Sequence, residues 1–314
     1  MKTVYSAQQI KKAINLKQNW QTLLKSQQQA FIDFSKGLVQ VPPPLQMHFE
    51  KARGDCHVKA GFKKDGDIFA VKIATGFYQN TLKNLPAGDG AILVFCQQTG
   101  LLKAILCDGG YLTTLRTAIA ACIAAKTTPW KIQRIGIVGT GQLAAQLLEL
   151  FHLCNPHAAF KLWGRSFEKA KNLASAYTNA DVNESIEELV SNCDLIITTT
   201  ANSSPIINLN YVHQKTHIIA LGADELGKQE CDPKLFQHAD VVIVDSKKQA
   251  QFFGDTFYAL QSGLISYDKL QELGPIIETG ISRDAKVIIS DFTGIAAQDI
   301  AIAESTLKLL KKEQ

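Results

Sequence analysis

The feature that most constrains this chain is an apolar strand that runs directly into a glycine-rich turn. Residues 134–138 read RIGIV, and residues 139–144 follow as GTGQLA before a helical pattern begins. This G-x-G-x-x-A spacing is typical of the dinucleotide-binding turn of doubly wound α/β domains, where the helix N-terminus also attracts the pyrophosphate. The alternative is a doubly wound domain that has lost its nucleotide. The residues of this turn that are predicted to bind the cofactor are Gly139, Gly141, Gln142 and Leu143.

Two kinds of apolar pattern divide the chain. Period-two runs predict a mostly antiparallel sheet in the first third, at residues 57–62, 68–74, 91–96 and 101–106. Continuous runs that alternate with helical patterns predict a parallel sheet covered on both faces, at residues 132–138, 160–163, 195–199, 218–221, 241–244 and 287–289. The expected fold class is therefore α/β, with a Rossmann-type doubly wound parallel sheet plus an α+β domain.

The helical patterns complete this outline. Residues 1–36 predict helices, and the three prolines at residues 42–44 predict an extended connection after them. Thr113 or Thr114 is expected to cap the Ala-rich helix that follows the first sheet. Residues 295–310 predict a final amphipathic helix, which we expect to pack back on the first domain.

The end of the second parallel strand predicts which dinucleotide binds. NAD-binding domains usually carry an acidic residue there for the ribose hydroxyls. Residues 161–166 read KLWGRS and contain no acid. Arg165 and Ser166, with Lys169 one turn on, favour the 2′-phosphate of NADPH, while NADH stays possible. The alternative is an exposed arginine on a polar turn.

Three charged residues stand in unusual places. Lys72 lies inside an apolar strand, where an ammonium needs an anion such as a substrate carboxylate, a structural ion-pair partner, or access to solvent. Arg116 lies near a helix N-terminus and opposes the helix dipole, which suits an anion clamp or an ordinary exposed arginine. Asp224 follows a parallel strand, at the edge where open α/β sheets bind ligands, and could instead be a turn residue.

Composition and charge exclude several classes of protein. The net charge is only +4, from 33 basic and 29 acidic side chains without a dense basic block, so no nucleic-acid partner is expected. No apolar run approaches the ~20 residues of a membrane span, and the N-terminus lacks an apolar signal core. The seven cysteines include no pair at zinc or redox-motif spacing, so we expect reduced thiols, no metal and a cytoplasmic location.

Together these motifs resemble the ornithine cyclodeaminase/mu-crystallin family over nearly the whole chain. The matching stretches are residues 71–80, 85–86, 112–118, 139–144, 222–224 with 227–230, and 291–294 with Asp299. The resemblance implies a homodimer with a discontinuous substrate-binding and dimerisation domain, residues 1–118 together with 295–314. Residues 119–294 would form the Rossmann domain.

The resemblance also implies roles for individual residues. Lys72 and Arg116 would hold a substrate carboxylate, and Asp224 would act as the acid/base at the substrate nitrogen. Further positions would approach the cofactor, with Arg116 and Thr117 at its phosphates and Thr200, Ala201, Leu221 and Thr293 near its nicotinamide half.

One departure affects the predicted substrate. Many members carry an arginine just after the proline segment, whereas residues 42–48 read PPPLQMH here, and Lys59 is expected to supply the missing charge. Residues 54–59 look similar to members that reduce cyclic imino acids such as Δ1-pyrroline-2-carboxylate. The expected activity is therefore an NAD(P)H-dependent ketimine reductase that produces L-proline. The alternatives are an ornithine cyclodeaminase, an amino-acid dehydrogenase and a non-catalytic NADPH-dependent binding protein.

Overall fold

The computed structural model describes residues 3–212 and 215–312. The strands are β1 (Thr3–Ser6), β2 (Val39–Gln40), β3 (Leu45–Phe49), β4 (Gly54–Lys63), β5 (Ile68–Phe77), β6 (Gly88–Cys96), β7 (Leu102–Cys107), β8 (Arg134–Val138), β9 (Ala159–Trp163), β10 (Ala180–Val182), β11 (Leu195–Thr198), β12 (Ser203–Ile207), β13 (Thr216–Ala220), β14 (Gln229–Cys231), β15 (Val241–Val244), β16 (Leu270–Glu272) and β17 (Val287–Asp291). The helices are α1 (Ala7–Ile14), α2 (Leu16–Ser35), α3 (Tyr111–Thr127), α4 (Gln142–Cys154), α5 (Phe167–Ala174), α6 (Ile186–Asn192), α7 (Pro233–His238), α8 (Asp255–Gln261), α9 (Leu273–Thr279) and α10 (Ala296–Lys312).

The chain divides into two compact units. The first unit combines Met1–Arg116 with Ile295–Gln314, and the second is Thr117–Gly294. Across the described part of the chain, none of the helices combines the length and the apolar character that a bilayer span requires.

A seven-stranded sheet forms the centre of the first unit. Its order is β1-β7-β6-β5-β4-β2, with β3 also paired to β4, and only the β1–β7 pair is parallel. The four strands predicted in this region are confirmed as β4 to β7. The interpretation of residues 1–36 as helices is wrong at Thr3–Ser6, because pairing with the distant β7 makes this segment a strand.

Helix α10 packs on the first sheet and on α1 and α2. Its approach depends on Gly61 in β4, where a Cβ atom would lie 2.9 Å from the Gln40 carbonyl oxygen and 3.4 Å from the Cβ of Ala296. Gln27 of α2 donates to the Gln298 carbonyl oxygen at 2.9 Å in the buried contact between the two helices. This docking buries the polar residues Gln298 and Asp299 in the first turn of α10.

Helix α3 begins earlier than its sequence predicts. Neither Thr113 nor Thr114 is the cap, because the helix already starts at Tyr111. The buried carboxylate of Asp108 accepts from the Leu112 N–H at 2.7 Å and satisfies one of the free donors of the first turn. The Thr114 hydroxyl instead donates to the Tyr111 carbonyl oxygen at 2.9 Å, inside the helix.

An eight-stranded parallel sheet forms the second unit. Its order is β10-β9-β8-β11-β13-β17-β15-β16, so the winding direction reverses between β8 and β11. This confirms the predicted doubly wound α/β fold. The strands β11, β13 and β17 are buried along their whole length, which explains the apolar runs at residues 195–197, 218–220 and 287–289 within them. The short edge strands β10 and β16 and the separate β12–β14 pair had no clear sequence pattern.

Candidate functional site

A cavity of about 250 Å³ opens at the carboxyl ends of β8, β9 and β11 in the second unit. Open α/β sheets bind ligands at this edge, beside the reversal of strand order. Seven of the residues predicted to bind the cofactor line the cavity together, namely Gly139, Gly141, Arg165, Ser166, Lys169, Thr200 and Ala201. The lining is completed by Thr140, Trp163, Gly164, Thr199, Asn202 and Ile206.

The glycine turn has the geometry that a pyrophosphate needs. Gly139 has a φ of 127°, and a Cβ atom there would collide with the Thr199 hydroxyl. A Cβ atom at Gly141 would meet no protein atom within 4 Å, so open space faces this position. Gly141 is also the residue before α4, whose first turn contains Gln142 and Leu143. Backbone N–H groups at the start of this 13-residue helix can therefore bind a phosphate that approaches through the open space.

Cationic side chains occupy the end of the cavity next to β9. Arg165 and Lys169 are exposed, and the Ser166 hydroxyl accepts from the Lys169 N–H at 3.3 Å as the cap of α5. The described residues that line the cavity include no carboxylate. This charge distribution suits a phosphate group better than it suits a pair of ribose hydroxyls.

Five predicted cofactor residues lie outside the lining of this cavity. Gln142 and Leu143 are in the first turn of α4, and Thr117 is in α3. Leu221 is buried directly after β13, and its N–H donates to the Thr198 carbonyl oxygen at 3.1 Å. The Thr293 hydroxyl accepts from the Gln249 side chain at 2.7 Å.

Sequence reasoning missed Glu230, which connects the loops after β11 and β13. One carboxylate oxygen of this buried residue accepts from the Thr200 N–H at 2.5 Å and from the Thr200 hydroxyl at 2.7 Å. The other oxygen accepts from the Thr198 hydroxyl at 2.6 Å and from the Gly222 N–H at 2.7 Å. Burial raises the pKa of Glu230, while these donors oppose that rise. The only sequence signal was its place in the stretch of residues 227–230 that carries the family resemblance.

Asp224 lies two residues beyond Gly222, where Glu230 holds the backbone. Its carboxylate accepts from the Lys228 ammonium at 2.9 Å, and the same ammonium lies 2.7 Å from a carboxylate oxygen of Glu225. The Asp224 side chain is 46% exposed, whereas those of Lys228 and Glu225 are almost covered. Lys228 thus restrains Asp224 while leaving much of its carboxylate accessible.

The first unit holds a separate cluster of buried charges. Lys72 of β5 and Arg116 of α3 are 3% and 5% exposed, and both contact one carboxylate oxygen of Asp299 in α10. The Lys72 Nζ–Oδ1 distance is 2.9 Å and the Arg116 Nε–Oδ1 distance is 3.1 Å. The Gln298 side chain also accepts from the Arg116 guanidinium at 3.3 Å. The structure therefore brings the two predicted carboxylate-binding residues together, on an anion that the sequence did not identify as their partner.

Two further charged groups belong to this cluster, because Lys59 and the buried carboxylate of Asp108 both interact electrostatically with Lys72. Lys59 of β4 is directly opposite Lys72 in the antiparallel pair, so a third cation stands beside the two that share Asp299. Burial, together with the charges of Arg116 and Lys59, lowers the pKa of Lys72 to about 7, and Asp299 opposes this shift. The charges of Lys72 and Arg116 hold the pKa of Asp299 below its usual value against the effect of burial. An anionic ligand would reduce the remaining repulsion among the cations.

Comparisons with known proteins agree with these features. The ornithine cyclodeaminase/mu-crystallin family model matches residues 2–312. An uncharacterized cyclodeaminase of Sinorhizobium fredii, y4tK, is 33% identical in an alignment of 286 positions that covers 88% of this chain and 86% of that protein. The iminosuccinate reductase of Paracoccus denitrificans is 31% identical over 81% of this chain and 80% of its own length.

Two solved structures share the fold along the whole chain. An archaeal alanine dehydrogenase dimer with bound NAD has a TM-score of 0.89 and 26% identity, covering 99% of this chain and 97% of its own. The Δ1-pyrroline-2-carboxylate reductase of Thermococcus litoralis, in complex with NADH and L-proline, has a TM-score of 0.90 and 22% identity. That alignment covers 99% of this chain and 98% of the other.

The Glu230 network leads to a prediction about stability. Glu230→Gln replaces one accepting oxygen by an amide donor, so two of the four donors around residue 230 lose their acceptor. A buried donor left unpaired costs about 1–3 kcal/mol, and we expect a loss of this size in the free energy of unfolding measured by denaturant titration. Glu187→Gln, at an exposed position in the first turn of α6, is the matched control and should change stability little. Equal stability of the two variants would contradict the role of Glu230.

Proposed function

Because the chain belongs to the ornithine cyclodeaminase/mu-crystallin family, we propose that it is an NAD(P)H-dependent reductase of a small cyclic imino acid. Δ1-Pyrroline-2-carboxylate is the proposed substrate and L-proline the product. The observation that carries this proposal is the buried pair Lys72 and Arg116, which share a single carboxylate oxygen of Asp299, so that two cations contact one carboxylate. A substrate carboxylate is the anion that suits two adjacent buried cations.

The proposed roles of the chain's own residues follow from their charges. Lys72 and Arg116 bind the carboxylate of the imino acid and fix the orientation of its C2 atom. Lys59 adds positive charge beside Lys72 and is the residue proposed to replace the family's post-proline arginine. Asp224, exposed and restrained by Lys228, delivers or relays the proton that the ring nitrogen gains. A bound nicotinamide dinucleotide supplies the hydride for C2.

NADPH is the proposed cofactor, with NADH as the less favoured partner. The cavity at the ends of β8, β9 and β11 fits a dinucleotide, since Gly141 faces open space and α4 starts beside it. The cations Arg165 and Lys169, with the Ser166 hydroxyl, suit a 2′-phosphate. The similar alanine dehydrogenase contains NAD, so the preference for the phosphate rests on these residues alone.

We also propose that the protein acts as a homodimer through the first unit. The similar archaeal alanine dehydrogenase is a dimer. Strand β3 of the first unit supplies apolar area for such an interface, because the side chains of Leu45, Met47 and Phe49 are exposed on one face of the strand.

Ornithine cyclodeaminase activity is the second candidate. It is supported by the family of the chain and by the 33% identity to an uncharacterized cyclodeaminase of Sinorhizobium fredii. The reaction would require an acidic group for the δ-ammonium of ornithine. The basic residues Lys59, Lys72 and Arg116 outnumber the two carboxylates of the charged cluster, Asp108 and Asp299, which makes this part of the first unit better suited to an anionic ligand.

The decisive experiment follows the loss of the reduced nicotinamide absorbance with Δ1-pyrroline-2-carboxylate, using NADPH and NADH in parallel. Imine reduction without release of ammonia from ornithine is expected. Ammonia release with NAD and no imine reduction would instead make the protein a cyclodeaminase. Iminosuccinate and pyruvate with ammonia are included as further substrates, since the similar proteins include an iminosuccinate reductase and an alanine dehydrogenase. Ligand binding without turnover of any substrate would indicate a binding protein.

Removing Arg165 should change cofactor preference. Arg165→Ala should weaken the binding of NADPH by about 10–100-fold, because a hydrogen bond to a charged group contributes about 1.5–3 kcal/mol. The binding of NADH, which lacks the 2′-phosphate, should be weakened far less. Dissociation constants for both dinucleotides, measured by fluorescence titration, test this expectation, with the exposed Arg283→Ala as the control. Equal weakening of the binding of both cofactors would be incompatible with the proposed 2′-phosphate contact.

Removing the acid at position 224 should separate cofactor binding from turnover. Asp224→Asn should reduce kcat by roughly 100-fold or more, because a positioned general acid contributes about 10²–10⁴-fold. Its dissociation constant for NADPH should stay unchanged. The exposed Asp268→Asn variant is the control for the loss of one surface charge. Turnover that survives within a few-fold would assign the proton transfer to another group.

A further inference from the structure

Two cysteine thiols meet inside the second unit, away from the groups assigned above to cofactor and substrate. Cys122 is in the middle of α3, and Cys154 is the last residue of α4. Their sulfur atoms are 3.0 Å apart, which is closer than two sulfur atoms in simple packing contact. A disulfide bond of ~2.05 Å needs the two atoms to approach by only about 1 Å more.

The two thiols differ in access to solvent. Cys122 is buried, whereas Cys154 is partly exposed and lines a cavity of about 510 Å³. Lys126 and Lys131 line the same cavity, together with the ring of His157. A small oxidant that enters this cavity therefore reaches the sulfur of Cys154 before that of Cys122.

The pKa values of the two thiols also differ, and the more accessible thiol has the lower pKa. The Cys122 thiol donates a hydrogen bond that lowers the pKa of Cys154, the charge of Lys126 lowers it further, and burial opposes both. Burial raises the pKa of Cys122. Since the thiolate is the reactive form, Cys154 is suited to react first and Cys122 to react second.

We propose that Cys122 and Cys154 form a reversible disulfide when the protein meets hydrogen peroxide. The Cys154 thiolate attacks one peroxide oxygen, the O–O bond breaks, and hydroxide leaves, so that Cys154 becomes a sulfenic acid. The Cys122 sulfur then attacks the sulfenic sulfur, and the hydroxyl group leaves as water with the Cys122 proton. In total two thiols are oxidised by two electrons, and one peroxide is reduced to two molecules of water.

The bond would connect two helices that have different functions in the proposed enzyme. Helix α4 starts at the glycine turn of the cofactor cavity, and α3 contains Arg116 in its second turn. The sequence pattern had indicated only reduced thiols, because Cys122 and Cys154 are 32 positions apart and match no redox motif. Two other cysteines of the second unit provide a contrast, since Cys193 and Cys231 are buried and burial raises the pKa of each thiol.

The test uses the intact protein and mass spectrometry. Native protein is treated with a small excess of hydrogen peroxide, remaining thiols are alkylated, and the protein is digested with trypsin without reduction. Cleavage after Arg116, Lys126, Arg134 and Lys161 gives peptides 117–126 and 135–161, each with a single cysteine. We expect these two peptides to be recovered joined, lighter by two hydrogen atoms than their sum, and to separate after treatment with dithiothreitol.

Variants distinguish the proposed pair from other thiols. Cys96 and Cys107 are the remaining accessible candidates, and hydrogen bonds from Thr99 lower the pKa of Cys96. A Cys96→Ser/Cys107→Ser variant should still form the joined peptide in the wild-type amount. Cys122→Ala, which suits the Ala-rich helix α3, removes both the resolving thiol and the hydrogen bond that lowers the pKa of Cys154. Its Cys154 should therefore be oxidised more slowly, but the fraction of oxidised Cys154 that dimedone traps as sulfenic acid should be several-fold larger than in the wild type.

Two results would overturn the proposal. One is folded, peroxide-treated protein in which peptides 117–126 and 135–161 stay separate. The other is an equal fraction of dimedone-trapped sulfenic acid in the oxidised Cys154 of the wild type and of Cys122→Ala. Neither result depends on the catalytic activity, so the disulfide can fail while the proposed reductase function stands, and the reverse also holds.

Discussion

The first unit depends on one carboxylate, because Asp299 is the anion that makes two buried cations tolerable. Bringing a charged side chain into a protein interior costs several kcal/mol unless a partner and hydrogen bonds compensate. Lys72 and Arg116 come from a strand and a helix of the N-terminal segment, whereas Asp299 comes from the last helix of the chain. Docking of α10 is therefore coupled to burial of both cations, and this explains physically why the first unit needs the two ends of the chain.

The ion pair with Asp299 and the proposed substrate site are compatible explanations for the burial of the Lys72 side chain. Asp299 neutralises one of the two positive charges that it contacts, and its second carboxylate oxygen is buried without a hydrogen-bond partner among the described residues. Burial and neighbouring cations lower the pKa of Lys72 to about 7, so its ammonium is only marginally favoured near neutral pH. An anionic ligand would favour the charged form. The same cation can thus be held by Asp299 and still attract a carboxylate.

Local patterns were enough to identify residues that line the cavity of the second unit, and long-range pairing explains what they missed. The turn at Gly139 and the cation at Arg165 each follow a strand directly, so their positions at the carboxyl edge follow from the sequence order. The pairing of Lys72 with Asp299 joins residues 227 positions apart, and no local pattern encodes that distance. Strand β1 was missed for the same reason, since only its pairing with β7 makes it a strand. The start of α3 was misplaced because Asp108, before two glycines, satisfies the Leu112 N–H earlier than either threonine could.

Glu230 provides acceptors for backbone N–H groups in the loops beside the open crevice. Where loops separate beyond the ends of parallel strands, their N–H groups lose strand partners and need other acceptors. The N–H groups of Thr200 and Gly222 are in this position, after β11 and β13, and a single buried side chain accepts from both. Water could serve the same groups only if the loops stayed hydrated, and that would leave them mobile beside the proposed cofactor. A buried carboxylate instead connects the loop that lines the cavity to the loop that carries Asp224, so the positions of the cavity wall and of Asp224 become coupled through one residue.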